Sequence, residues 1–122
     1  MALGVELTWA GGEHRFLLTI ELLRALQQKT DCGPAWSLAR LSSQKYFVDD
    51  VLETIRLALI GGGMSPEEAR KKVKTYVEDR PLTESVLLAS TILASALYGG
   101  EEAASDEGEQ KPAEPSGSLA GE

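Results

Sequence analysis

One cysteine, one histidine and seven aromatic residues are all this chain offers for the commonest kinds of site chemistry. The lone Cys32 excludes an internal disulfide, and a single thiol fits a reducing compartment. A catalytic cysteine needs a base, His14 is the only histidine, and a buried, inert thiol is the commoner role. No His/Cys/Asp cluster has metal-ligand spacing, and no Ser/His/Asp set forms around a histidine beside a hairpin turn. Asp49 and Asp50 are paired carboxylates, but neighbours on a helix point apart. The expectation is therefore no enzyme, no metal and no cofactor. Long apolar runs are missing as well. The longest uncharged stretch, Ser85 to Gly100, has 16 residues interrupted by Ser and Thr, short of the roughly 20 that span a bilayer. The opening MALGVELTWAGGEHRF has no basic segment followed by an apolar run, so no signal peptide is expected. The expectation is a cytoplasmic protein without a membrane partner.

A basic excess is the last absence. The formal net charge is −7, unevenly spread. From Gly99 onward there are seven acids (Glu101, Glu102, Asp106, Glu107, Glu109, Glu114, Glu122) and one base, Lys111, leaving residues 1–98 at net −1. A near-neutral body argues against a nucleic-acid partner. The basic run Arg70–Lys74 reads as a solvated helix face, diluted by Glu67, Glu68 and Glu78. Residues 99–122 are rich in Gly, Ser, Pro and Ala, with Leu119 the only large apolar side chain. They are expected to be a disordered acidic tail.

What is present is a sequence of strong local signals. Val5, Leu7 and Trp9 alternate with Glu6 and Thr8. Gly11-Gly12 follow with the positive φ that a tight turn needs, and His14 to Leu18 carries Phe16 and Leu18 on one face. This predicts a β-hairpin, too small to stand alone in water, which must pack on helices or pair with another chain through its edge. Thr19 caps a helix over about Ile20–Lys29, with Ile20, Leu23 and Leu26 as its buried stripe. A short helix follows from Pro34 or Ala35 to Leu41. The next runs from Tyr46 or Phe47 to Ile60, with Val48, Val51, Leu52, Ile55, Ala58 and Leu59 at helical spacing and Asp49, Asp50 and Glu53 at its favourable end.

The triplet Gly61-Gly62-Gly63 sits between this helix and Ser65-Pro66-Glu67-Glu68. A phosphate loop needs a strand before the glycines and a Lys-Ser/Thr after them, and neither is here. The triplet reads as helix stop and restart, with Gly61 expected at positive φ and Ser65, Pro66 and Glu68 forming a capping box. That helix, with Ala69, Val73, Tyr76 and Val77 inward, ends before Pro81. The last helix, Pro81 to Leu97 or Tyr98, is apolar or small nearly all round, so it is either central or covered by a partner. Trp9, Trp36, Tyr46 and Phe47 read as core or hairpin packing, with one of them available as an interface anchor. The fold class expected is α+β, mostly α: an N-terminal hairpin packed on four to five helices (residues 1–98), then the tail (99–122).

In this order, the hairpin and first helix, DDVLETIRLALIGGG (Asp49–Gly63), EEARKKVKTYV (Glu67–Val77) and PLTESVLLASTILASALYG (Pro81–Gly99) resemble the small tail-module proteins of gene transfer agents and related prophages. Those proteins are described variously as tail tube proteins or tail assembly chaperones. The resemblance spans about Met1 to Gly99. It implies work on a phage-type tail, with the chaperone role first: keeping the tape-measure protein soluble while tube subunits assemble. The alternative it implies is a structural component kept in the particle. The partners implied are tape-measure and other tail proteins, with self-association also open. The partner-facing positions expected on the last helix are Leu87, Leu88, Thr91, Ile92 and Ser95.

Overall fold

The computed structural model of the chain describes residues 4–99. Strands β1 (Val5–Trp9) and β2 (Gly12–Phe16) pair antiparallel, with Trp9 opposite Gly12 and Val5 opposite Phe16. Five helices follow: α1 (Ile20–Thr30), α2 (Pro34–Ser42), α3 (Val48–Gly61), α4 (Pro66–Val73) and α5 (Val86–Tyr98). A widened π turn, Lys74–Glu78, extends α4, and a 3₁₀ turn, Leu82–Ser85, leads into α5. The expected tail, residues 99–122, lies outside the described residues apart from Gly99.

The caps follow the sequence. Thr19 Oγ1 accepts from the Leu22 amide at 3.2 Å, and Ser65 Oγ from the Glu68 amide at 3.1 Å. The Glu68 carboxylate does not complete the box, so only half of that motif forms. Gly12 alone supplies positive φ in the hairpin turn. Gly11 is needed for a different reason, since a Cβ there would sit 2.6 Å from the Trp9 indole.

Helix α3 is the centre. Val51, Ile55, Ala58 and Leu59 are buried on it, against Leu26, Leu41, Ala69, Val73, Val77, Ala89, Ile92 and Leu93 from the other helices and Phe16 from β2. Two first-turn residues depart from the expected stripes: Ile20 and Val48 are exposed, because each helix begins before its apolar stripe meets the core. Trp36 and Phe47 are also exposed rather than core. The Phe47 ring instead carries the Arg40 guanidinium 3.9 Å from its centroid.

The glycine triplet resolves differently from expectation. Gly61 is the last residue of α3 and Gly62 has φ −79°, so neither holds positive φ; Gly63 does, at +117°. What Gly61 and Gly62 provide is proximity. A Cβ on Gly61 would lie 1.8 Å from the Leu17 carbonyl oxygen, and one on Gly62 1.9 Å from that of Arg15. The bare helix end lets the chain leaving β2 pass at backbone distance, and the Leu17 amide donates to the Ala58 carbonyl at 3.0 Å. This anchors a hairpin that would be marginal by itself. An aromatic cluster anchors its other end. The Trp9 ring meets Phe16 and Tyr76 edge-on, each at 5.9 Å between centroids, and its Nε1–H donates to His14 Nδ1 at 2.9 Å.

A buried ion pair ties α2 to α3. Arg40 donates Nε–H to Asp50 Oδ2 at 2.8 Å and Nη2–H to Oδ1 at 2.7 Å, and the Phe47 amide donates to the same Oδ2 at 2.7 Å. Asp50 is fully buried, while Asp49 faces out. The hydrogen bonds that Arg40 donates to Asp50 raise the Arg40 pKa above the ordinary arginine value.

Candidate docking groove

A groove of about 410 Å³ opens between the hairpin and the start of α5. Leu7, Trp9 and Ala10 form one wall, Leu87, Leu88 and Thr91 the other, with Tyr76 also lining it. Each wall has a local cause. Period-two alternation puts Leu7 and Trp9 on the helix-facing side of β1. On α5 the core takes Val86, Ala89, Ile92 and Leu93. The neighbouring Leu87 and Leu88 are rotated off that face, Leu87 with 77% of its surface exposed. Arg80 and Glu84 also line the groove and are paired with each other at 3.2 Å, so the lining carries little net charge.

The five positions expected to face a partner are divided by the fold. Leu87, Leu88 and Thr91 line this groove together. Ile92 and Ser95 are buried, 2% and 7% exposed, and contribute to a smaller cavity of about 110 Å³ with Gly4, Phe16, Leu17, Leu18, Ala96 and Gly99. That cavity places the start of β1 and the end of α5 side by side. What sequence reasoning missed is the contribution of Leu7 and Tyr76; Trp9 is one of the four aromatics it offered as core packing or an interface anchor. The alternation and spacing of all three were legible as packing, but the gap they leave beside α5 depends on how the hairpin is seated.

The groove adjoins an open sheet edge. A two-residue turn makes Trp9–Gly12 a hydrogen-bonded pair, and alternation makes Leu7–His14 and Val5–Phe16 the next ones. The amide and carbonyl of Glu6 and of Thr8 therefore point away from β2, and among the described residues they make no backbone bond to another element. The outer edge of β2 is the covered one, closed by Gly61 and Gly62.

A second concavity, also about 410 Å³, lies beside the glycine triplet and is lined by His14, Arg15, Gly62, Met64, Ser65, Glu68 and Lys72 among others. Its Glu68 carboxylate opposes an anion, and the amide of Glu68 is taken by Ser65. The phosphate-loop reading gains nothing from it. No cluster of three or more His, Cys, Asp or Glu side chains suited to a metal occurs among the described residues. No helix among them is long and apolar enough to cross a membrane.

Neither a curated protein nor a solved structure matches the chain. A family model does, over residues 3–99, which takes in the hairpin, all five helices and both walls of the groove. It is described as phage tail tube protein, GTA-gp10, and the chain belongs to that family of phage tail proteins.

Proposed function

We propose that this phage tail protein is an assembly chaperone that holds a segment of the tape-measure protein in the groove between β1 and α5. The observation that carries this reading is the uncovered apolar wall of α5. Leu87 is the most exposed large apolar side chain among the described residues, and it stands beside Leu88, Leu7 and Trp9 around one concave space. Contiguous exposed apolar surface of this kind is a common mark of a protein-binding site. The fold supports the same reading. The described residues hold a single two-stranded sheet, whereas a tube subunit needs strands enough for a sandwich that closes into rings.

The family's description as phage tail tube protein favours a second reading, a structural component retained in the finished tail. Mass spectrometry of purified particles separates the two. The chaperone reading expects the chain to be absent from particles and to keep co-expressed tape-measure protein in the soluble fraction. Stoichiometric recovery in particles, with no effect on tape-measure solubility, would establish the structural reading instead.

A further inference from the structure

We propose that the groove takes its partner as an added β-strand. An extended segment pairs its main chain with Glu6 and Thr8 of β1, lays alternate apolar side chains against Leu7, Leu87 and Leu88, and presents a basic end beside Gly4. This rests on the reading that the chain works by binding another protein's segment, and it specifies the shape and charge of that segment.

Three features select an extended occupant. Outward amides and carbonyls two residues apart, at Glu6 and Thr8, match the main chain of a strand and not that of a helix, whose own groups are already paired. The groove runs beside that edge, because Leu7, Thr8, Trp9 and Ala10 line it in succession. A strand placed there directs every second side chain toward Leu87 and Leu88. The space, about 410 Å³, suits a few such side chains, and the Arg80–Glu84 pair leaves them a largely uncharged lining.

The charge at one end follows from where the chain goes next. Gly4, preceding β1, and Gly99, following α5, line the same small cavity. From Gly99 the sequence continues for 23 residues carrying seven acids and one base. Gly99, which these acids follow in sequence, lies next to the N-terminal end of β1. An antiparallel strand on β1 brings its C-terminal end to that point, so lysine or arginine there complements the charge of the acidic sequence that follows Gly99.

The test uses the full chain and a labelled probe, an acetylated ten-residue peptide of alternating threonine and leucine ending in two lysines and an amide. Binding is followed by fluorescence anisotropy. The expectation is that Thr8→Pro weakens it by at least about tenfold, since proline removes an outward amide that the hairpin itself does not use. Ending the chain at Gly100 should lower affinity and flatten its salt dependence. Moving the lysines to the peptide's other end should weaken binding similarly. Amide exchange at Glu6 and Thr8 should slow on binding. Should Thr8→Pro lose its helical circular dichroism, N-methylating the peptide along one edge asks the same question of the intact chain. Failure of the peptide to bind, unchanged binding by a folded Thr8→Pro or by the N-methylated peptide, or unchanged exchange at Glu6 and Thr8 would overturn strand addition. Unchanged affinity and salt dependence in the shortened chain would overturn the charged end. Capture of tape-measure protein, measured in parallel, separates this proposal from the one beneath it. Capture retained by a folded Thr8→Pro refutes the strand while the chaperone reading stands. Peptide binding by a chain that captures no tape-measure protein refutes the chaperone reading while the strand stands.

Discussion

Replacing Gly61 by alanine should destabilise the protein, against the usual preference of helices. In an ordinary helix interior, alanine for glycine gains about 1 kcal/mol. At Gly61 the new methyl would meet the Leu17 carbonyl oxygen at 1.8 Å, and that oxygen is backbone, with no flexible side chain to swing aside. Relief requires the chain after β2 to move off α3. Overpacking of this sort costs about 1–3 kcal/mol. The movement also strains the Leu17–Ala58 hydrogen bond, now 3.0 Å, which is worth about 1 kcal/mol. Set against the propensity gain, the net loss is about 1–3 kcal/mol, a large share of a small domain's stability. Urea denaturation followed by circular dichroism at 222 nm measures it. Gly63→Ala is the contrast, because nothing lies within 4 Å of a Cβ there and only the φ of +117° opposes it. A Gly61→Ala protein more stable than wild type by the ordinary helix increment would refute the close approach of β2 to α3.

Three further outcomes are expected. Asp50→Ala leaves the Arg40 guanidinium, 11% exposed, without its carboxylate, and should cost about 2–4 kcal/mol, somewhat below the range for a fully buried pair; a loss under 0.5 kcal/mol in urea melts would contradict the buried-pair account. Thr54 is fully buried and its hydroxyl has no hydrogen-bond partner, so Thr54→Val should stabilise by about 1 kcal/mol; calorimetry showing a lower midpoint would mean the hydroxyl is satisfied. Ending the chain at Gly100 removes mostly acids and small residues and should leave the thermal midpoint within about a degree; a drop of several degrees would mean those residues dock on the body.

The sequence was most legible where structure is decided locally. Thr19, Ser65-Pro66 and the alternation of Val5, Leu7 and Trp9 act within a few residues, and the caps and hairpin they announce are present. Legibility fails where a distant segment decides. Gly61 carried a helix-stop signal, yet its role is set by the chain after β2, more than forty residues earlier. Asp50 looked like one of two first-turn acids. Only the packing of α2 against α3 selects it for Arg40, although its place three residues after Phe47 suits the bond it makes to that amide. The π turn at Lys74–Glu78 keeps the apolar spacing of a helix and leaves no separate mark. For the groove, the all-round apolarity of α5 showed that one side needed a cover. Which side stayed open depended on the hairpin, so Leu87, Leu88 and Thr91 fall in one groove while Ile92 and Ser95 fall in the interior.

The most direct test of the central claim is capture of tape-measure protein by the wild-type chain and by Leu87→Asp, with helicity checked in both. Leu87 is exposed enough to accept a carboxylate without unfolding the body. The expected result is capture by the wild-type chain and loss of most of it by a variant of unchanged circular dichroism, since a charge would stand in an apolar wall that a partner must cover. Equal capture by a folded Leu87→Asp protein, or none by the wild-type chain, would contradict the assignment of this groove to tape-measure binding.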